Sequence, residues 1–316
     1  MASTSGTGQS YNDVNVIGEF LTTGYSNTPF LDSIGFLNGA RRVTAQEFAM
    51  SSSSSLDAGS QGNVISETAS LTAGTPDFYA KAQSYNMTQI MKYELAISNL
   101  REAANQQLGD TVIEIGGLAD NTSEFSRQIQ LKLIQMKNDL EFSLIQGVYT
   151  ARSAVGTVVK TGGVLDSSIG VSTNTVDASS AALEKDMIDE LLVEMADNGA
   201  PMQDIVIVGK NTYLPQISEI YGFQPQARDI GGLAIKQIVT DFGTVSVIGT
   251  KNAKANTLAF IDMSYIRTAV LPHSGGQDIL LREYEDGASA KKAYLEGFMG
   301  ADFYHESYHG SITSIA

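Results

Sequence analysis

The chain of 316 residues contains no cysteine. Disulfides, thiolate nucleophiles and cysteine-ligated zinc or iron–sulfur centres are therefore excluded. Stability has to come from packing and association. Basic residues are scarce: 20 Lys and Arg stand against 35 Asp and Glu, giving a formal net charge of −15 and a pI of about 4.5. A chain-wide basic footprint for nucleic acid is absent, although a local basic patch stays open around Arg41 and Arg42. Self-repulsion in solution is the plain reading of the acidity. The first forty residues hold no Lys or Arg, so the positive start of a secretory signal is missing. The strongest apolar run, Ile205 to Val208, is far too short to span a bilayer. A soluble product made in the cytoplasm, without a membrane segment, is expected.

What is present describes a globular protein: 42% hydrophobic and 17% charged residues. One stretch stands apart. Arg41 to Met50 and Asp77 to Met91 read as two extended arms around a Ser-, Gly- and Thr-rich tip. An isolated two-stranded ribbon buries too little apolar surface to offset chain ordering. Such a ribbon persists only on another surface, either a neighbouring domain or a neighbouring copy. Ahead of it, Asn27 to Gly35 carries Pro29, which biases Thr28 to an extended shape, and Phe30, Leu31 and Ile34, which read as an apolar plug.

Past the ribbon, Tyr93 to Leu108 has helical spacing, and 110–120 is a Gly-punctuated connection. A long helix is predicted from about Asn121, with Glu124 three residues on, to Gln146. Phe125, Ile129, Leu133, Met136, Leu140 and Leu144 make its apolar face, and Gly147 ends it. A different texture follows: a helix at 184–198, a buried strand at 205–208, a helix at 211–220, a hairpin from 235–239 and 244–248 around Asp241-Phe242-Gly243, and a strand at 258–261. Strands return at 266–271, 278–284 and 293–304.

Chemistry is weakly signalled. His305-Glu306-Ser307-Tyr308-His309 fits the zinc-protease pattern, in which two His share a helix face and the Glu activates water. Its surroundings are aromatic and β-leaning, Gly310 would end a helix at once, and only His273 remains as a third imidazole. Gly209-Lys210-Asn211 lacks the Gly and the Ser or Thr of a phosphate loop. Asp186, Asp189, Glu190 and Glu194 read as a solvated face. No catalytic residue, metal ligand or cofactor site is assigned.

Several segments in order carry a resemblance: 28–35 (Thr-Pro-Phe-Leu-Asp-Ser-Ile-Gly), 240–247 (Thr-Asp-Phe-Gly-Thr-Val-Ser-Val), Phe260-Ile261-Asp262 with 265–271, and 306–312 (Glu-Ser-Tyr-His-Gly-Ser-Ile). Together they resemble major capsid proteins of tailed bacteriophages (Caudoviricetes) with the Hong Kong 97-type fold. The final segment looks like Asn-Glu-x-x-His-Gly-x-Ile, with His305 in place of the Asn. The resemblance implies an α+β fold: an N-terminal arm over 1–40, an extended hairpin E-loop over 41–93, a peripheral domain over 94–160 and 262–316 with a spine helix at about 121–146, and an α/β axial domain over 161–261. The connection at 101–120 is longer than that pattern has.

The resemblance also implies a virion shell protein, made in the host bacterial cytoplasm, that self-assembles into hexamers and pentamers around double-stranded DNA without reading its sequence. A portal protein is its implied partner, with decoration proteins and a separate scaffold protein or none, since residues before Thr28 leave no room for a fused scaffold. Phe30, Leu31, Ile34, Arg41, Arg42, Phe78, Tyr79, Lys81 and Tyr85 are the inter-subunit contact candidates. Lys81 lies on an arm rather than the tip, so the family's isopeptide cross-link is not expected. A zinc hydrolase using His305, Glu306 and His309, and an encapsulin-like nanocompartment shell, are the alternatives.

Overall fold

The computed structural model describes residues 27–54, 66–72, 78–100, 113–115, 118–120, 124–221, 228–230, 233–285 and 287–316. Helix α1 (Pro29–Ile34) starts on a proline, whose missing N–H is an orphan there in any case, and ends at Gly35 with φ +90. Its Phe30 and Leu31 are wholly buried, in one cluster with Met136, Leu140 and Leu144. Strands β1 (Arg41–Arg42), β2 (Glu47–Ser53), β3 (Ala82–Met87) and β4 (Gln89–Ser98) follow.

The expected arms are therefore each split in two. Arg41 and Arg42 pair in parallel with Ala269 and Val270, whereas the ribbon itself is β2 against β3, from Glu47↔Met87 to Ser53↔Ala82. The helix expected over 93–108 is a strand as far as Ser98, and 101–108 lies outside the described residues. Met91, Leu95 and Ile97 are buried and their even-numbered neighbours exposed, the alternation of a strand with one covered face. Ten consecutive pairings, Gln89↔Met299 to Ser98↔Ala290, hold it there.

A short pair, β5 (Ile113–Ile115) and β6 (Leu118–Asp120), precedes helix α2 (Glu124–Gln146). The expected cap at Asn121 lies outside the described residues. The C-terminal carbonyls of α2 meet a loop rather than water: Val164 N–H donates to Leu144 O and Leu165 N–H to Ile145 O, at 3.0 and 2.9 Å. The loop's close approach bears on Gly147, where a Cβ would lie 2.7 Å from Thr161 O as well as 2.4 Å from Ser143 O of α2 itself.

Strand β7 (Thr175–Asp177), helix α3 (Lys185–Asp197), strand β8 (Ile205–Gly209), helix α4 (Tyr213–Tyr221) and strands β9 (Arg228–Ile230), β10 (Leu233–Thr240), β11 (Gly243–Gly249) and β12 (Leu258–Asp262) come next. The chain closes with β13 (Arg267–Val270), β14 (Ile279–Tyr284), β15 (Ala290–Asp302) and β16 (Gly310–Thr313). Two sheets result. In the first, β15 lies between β4 on one side and β13 and β14 on the other, with β1 beyond β13. The second runs β7-β16-β12-β8-β11-β10-β9. Residues 310–313, for which no strand was expected, join this second sheet between β7 and β12.

Both faces of β8 are covered, which explains its unbroken apolar run. Val206 and Val208 face the cluster that holds α1, α2 and the first sheet. Ile205 and Ile207 face α3 and α4, through Ile188, Leu191, Leu192, Met195, Tyr213 and Ile217. Each such side chain stabilises the fold by about 1.5–3 kcal/mol.

Because Phe30 packs on α2 of its own chain, Phe30→Ala should destabilise the isolated subunit by about 3–5 kcal/mol. Denaturant unfolding of dissociated subunits measures this. An unchanged midpoint would show that Phe30 seats elsewhere.

Candidate assembly surface

The base of the ribbon is fixed by three polar devices. Asn86 is fully buried. Its Nδ2 donates to Gly162 O and Ala301 O at 2.9 and 2.7 Å, and its Oδ1 accepts from Gly162 N at 3.0 Å. Gln46 O accepts from the Thr88 N–H at 2.8 Å and from its hydroxyl at 3.2 Å. Asp302, 1% exposed, is shared by Arg41 at 3.1 Å and Arg267 at 3.0 Å. Arg41 also donates to Met50 O and lies 5.8 Å over the Phe48 ring. Val43, Phe48, Met50 and Met87 are buried beside these groups. The ribbon thus has more core at its root than its composition suggests.

Burial stops abruptly one step outward. Ser52, Ser54, Ala82, Gln83 and Tyr85 are exposed, just past an irregularity between Ala49 and Ser51 that sets Met50 outside the ladder. Phe78 is 84% and Tyr79 58% exposed, and Lys81 is exposed too. The Tyr85 hydroxyl bonds Gln83 within the ribbon. The rest of the expected tip, 55–65 and 73–77, lies outside the described residues.

The structure divides the expected contact residues. Phe30 and Leu31 are wholly covered by their own chain and have no surface for a neighbour; reading them as an inter-subunit plug is corrected. Ile34 packs against the same core. Arg41 is engaged by Asp302, and Arg42 pairs with Asp278 at 3.2 Å on the surface. Phe78, Tyr79, Lys81 and Tyr85 face outward.

A buried carboxylate ties three parts of the chain together, and no sequence signal marks it. Glu141 of α2 accepts from the backbone N–H of Leu31 at 3.0 Å, from Asn252 Nδ2 at 3.0 Å and from the Thr250 hydroxyl. Burial pushes its pKa up, and these donors pull the other way. Nearby, the half-buried Tyr93 donates its hydroxyl to Asp139, and this partial burial raises its pKa.

The His305–His309 motif is structural. Residues 306–308 form a single 3-10 turn, not a helix. His309 is fully buried: its Nε2 donates to Phe303 O at 2.7 Å and its Nδ1 accepts from the Asp262 N–H at 3.2 Å. His305 Nδ1 meets the Ser307 hydroxyl at 2.8 Å, and the Glu306 carboxylate accepts from Ser172 N and Oγ. Both nitrogens of His309 are thus committed to protein groups. Among the described residues, no group of three or more His, Asp or Glu is placed to hold a metal ion, and no helix is long and apolar enough to cross a membrane.

Comparisons with known proteins agree with this geometry. Residues 3–316 match the family described as SU10 major capsid protein. The fold is similar to the cyanophage A-1(L) capsid, with TM-score 0.64 and 12% identity over 96% of this chain and 97% of that one. It is similar to the capsid of a native GTA particle, with TM-score 0.62 and 13% identity over 97% of each. The holo-SrpI encapsulin complex of Synechococcus elongatus PCC 7942 gives 0.56 at 10% identity, over 93% and 91%. No curated protein matches the sequence.

Burial lowers the His309 pKa to about 4 from its ordinary 6.5. The unfolded chain gains this proton near pH 6.5 and the folded chain only near 4, so the contribution is complete above about 6.5 and lost as pH falls between the two values, about 3 kcal/mol in all. His309→Gln should flatten the stability profile between about pH 7 and 4. Parallel urea midpoints for both proteins across that range would contradict this.

Proposed function

The chain belongs to the SU10 major capsid protein family, and we propose that its subunits close into an icosahedral head shell of hexamers and pentamers in which each ribbon is covered by a neighbouring copy. The fold is the Hong Kong 97-type capsid fold and the role is that of a structural shell subunit. The observation that carries the finer reading is the break in burial at Ser51 and Asn86. Within that step the ribbon is core; beyond it, Tyr85 on the ladder and Phe78 and Tyr79 in the segment that leads into β3 are exposed. A ribbon of this kind is stable only when something covers it, and a closed shell supplies an identical cover to every copy.

The proposed cargo is double-stranded DNA, held without sequence readout. A subunit with a net charge of −15 does not adsorb a polyanion. The product is a virion protein with no enzymatic role, and a portal and any scaffold or decoration proteins are its proposed partners. An encapsulin shares the fold, but the family match spans nearly the whole chain and favours a viral shell over a cargo compartment.

Replacing residues 52–84 by a short turn should leave the buried base intact. The dissociated variant should unfold within about 1 kcal/mol of the parent, as for a change confined to the surface, yet form no closed particles by negative-stain microscopy. Normal particles from the shortened chain would remove the reading. Shell formation should also respond to salt, since the screening length falls from about 30 Å at 0.01 M to about 3 Å at 1 M. The critical subunit concentration should fall on adding salt; indifference to ionic strength would refute the electrostatic part.

A further inference from the structure

We propose that Asn38 is a site of spontaneous amide-to-acid conversion, in which the Gly39 backbone nitrogen closes a succinimide on the Asn38 side chain, and that the fold protects Asn198-Gly199 from the same reaction. Asn is followed by Gly at these two places only in the whole sequence. Both read Asn-Gly-Ala, with Leu37 before one and Asp197 before the other. All four residues of the two steps are exposed, and both glycines have positive φ, +87 at Gly39 and +77 at Gly199. A Cβ added at either glycine would meet nothing within 4 Å. Water access, backbone region and crowding are thus alike, and hydrogen bonding separates the two.

The first step lies in the turn between α1 and β1. The Asn38 N–H donates to Gly35 O at 2.7 Å and the Ala40 N–H to Leu37 O at 3.3 Å, which closes that turn. Neither the Gly39 N–H nor the Asn38 side-chain amide has a partner among the described residues. The attacking nitrogen and the group it attacks are therefore both free to approach. The second step ends α3. There the Gly199 N–H donates to Ala196 O at 3.0 Å, and Asn198 Nδ2 donates to Asn174 Oδ1 at 2.7 Å. Asn174 is buried and donates in turn to Ser307 O and His309 O. Reaction at Asn198 requires the last turn of α3 to open first.

The chemistry needs only water and solvent base. The Gly39 nitrogen gives up its proton and bonds Asn38 Cγ. The Cγ–Nδ2 bond breaks, and the amide nitrogen takes up a proton and leaves as ammonia. Water then opens the ring at either carbonyl, returning hydrogen to the Gly39 nitrogen and leaving aspartate or isoaspartate. The isoaspartate form threads one more methylene carbon through the main chain between two fixed points, Leu31 on Glu141 and Arg41 on Asp302. Either product adds a negative charge to a subunit that already carries −15. None of this requires a shell, so it stands or falls separately from assembly.

Ageing of dissociated full-length subunits in warm, mildly alkaline buffer, followed by digestion in acid and peptide mass spectrometry, tests it. Asn38 should convert at least about tenfold faster than Asn198, since two hydrogen bonds must break at the second site alone. Asn38→Gln should remove the product at that position while unfolding at the parent's midpoint. In urea the two rates should converge. Equal rates in the folded chain, or faster conversion of Asn198, would overturn the proposal. So would a difference that persists in urea, because it would then belong to the flanking residues and not to the fold.

Discussion

Everything in this subunit turns on where burial ends along the ribbon. A two-stranded ladder satisfies its backbone hydrogen bonds only along one edge of each strand, and its side chains need a surface beneath them. Up to Met50 and Asn86 that surface is the chain's own first sheet, with Asn86, Asp302 and Thr88 supplying the polar contacts. A buried amide with both hydrogens committed tolerates no slip, because each orphaned partner costs about 1–3 kcal/mol. The root is therefore stiff, and a stiff root aims the uncovered part outward in a fixed direction. A floppy one would scatter the ribbon over many poses and make covering it entropically costly.

The same logic links the arm, the long helix and the second sheet. Among the described residues Glu141 has no ion pair; backbone amides of α1, the Thr250 hydroxyl and the Asn252 side-chain amide hold it. Such a carboxylate costs desolvation, as its raised pKa records. It also stays in place only when these donors are present together, which specifies one arrangement of α1, α2 and the loop after β11. Packing adds the larger share of the energy through Phe30, Leu31, Leu140 and Leu144.

Much of this was legible in the sequence, for physical reasons that differ between elements. The apolar steps of three and four from Phe125 to Leu144 mark α2, and the short apolar run 205–208 marks β8, because both patterns are local. The hairpin around Asp241 is local too. Tyr93 to Ser98 misled because Met91 and Leu95, or Tyr93 and Ile97, are four apart as well as two positions removed from their neighbours; only β15, some two hundred residues away, decides for the strand. Membership of β16 in the second sheet is likewise a long-range matter. Phe30 and Leu31 read correctly as an anchor and incorrectly as an anchor in a neighbour, since a sequence cannot say whose core a plug enters. Asn86 and Glu141 carry no local signal at all: a polar residue becomes a hub only through partners brought from elsewhere. His309 did leave a clue, in the aromatic, β-leaning residues around it.

Hydrogen exchange at the ribbon, compared between dissociated subunits and closed particles, bears most directly on this account. In the subunit, amides of Ser52, Ser53, Gln83 and Ser84 should exchange fast while those of Met87 and Leu95 stay protected; in particles the first group should slow to match the second. Equal, strong protection of the whole ribbon in the lone subunit would contradict it.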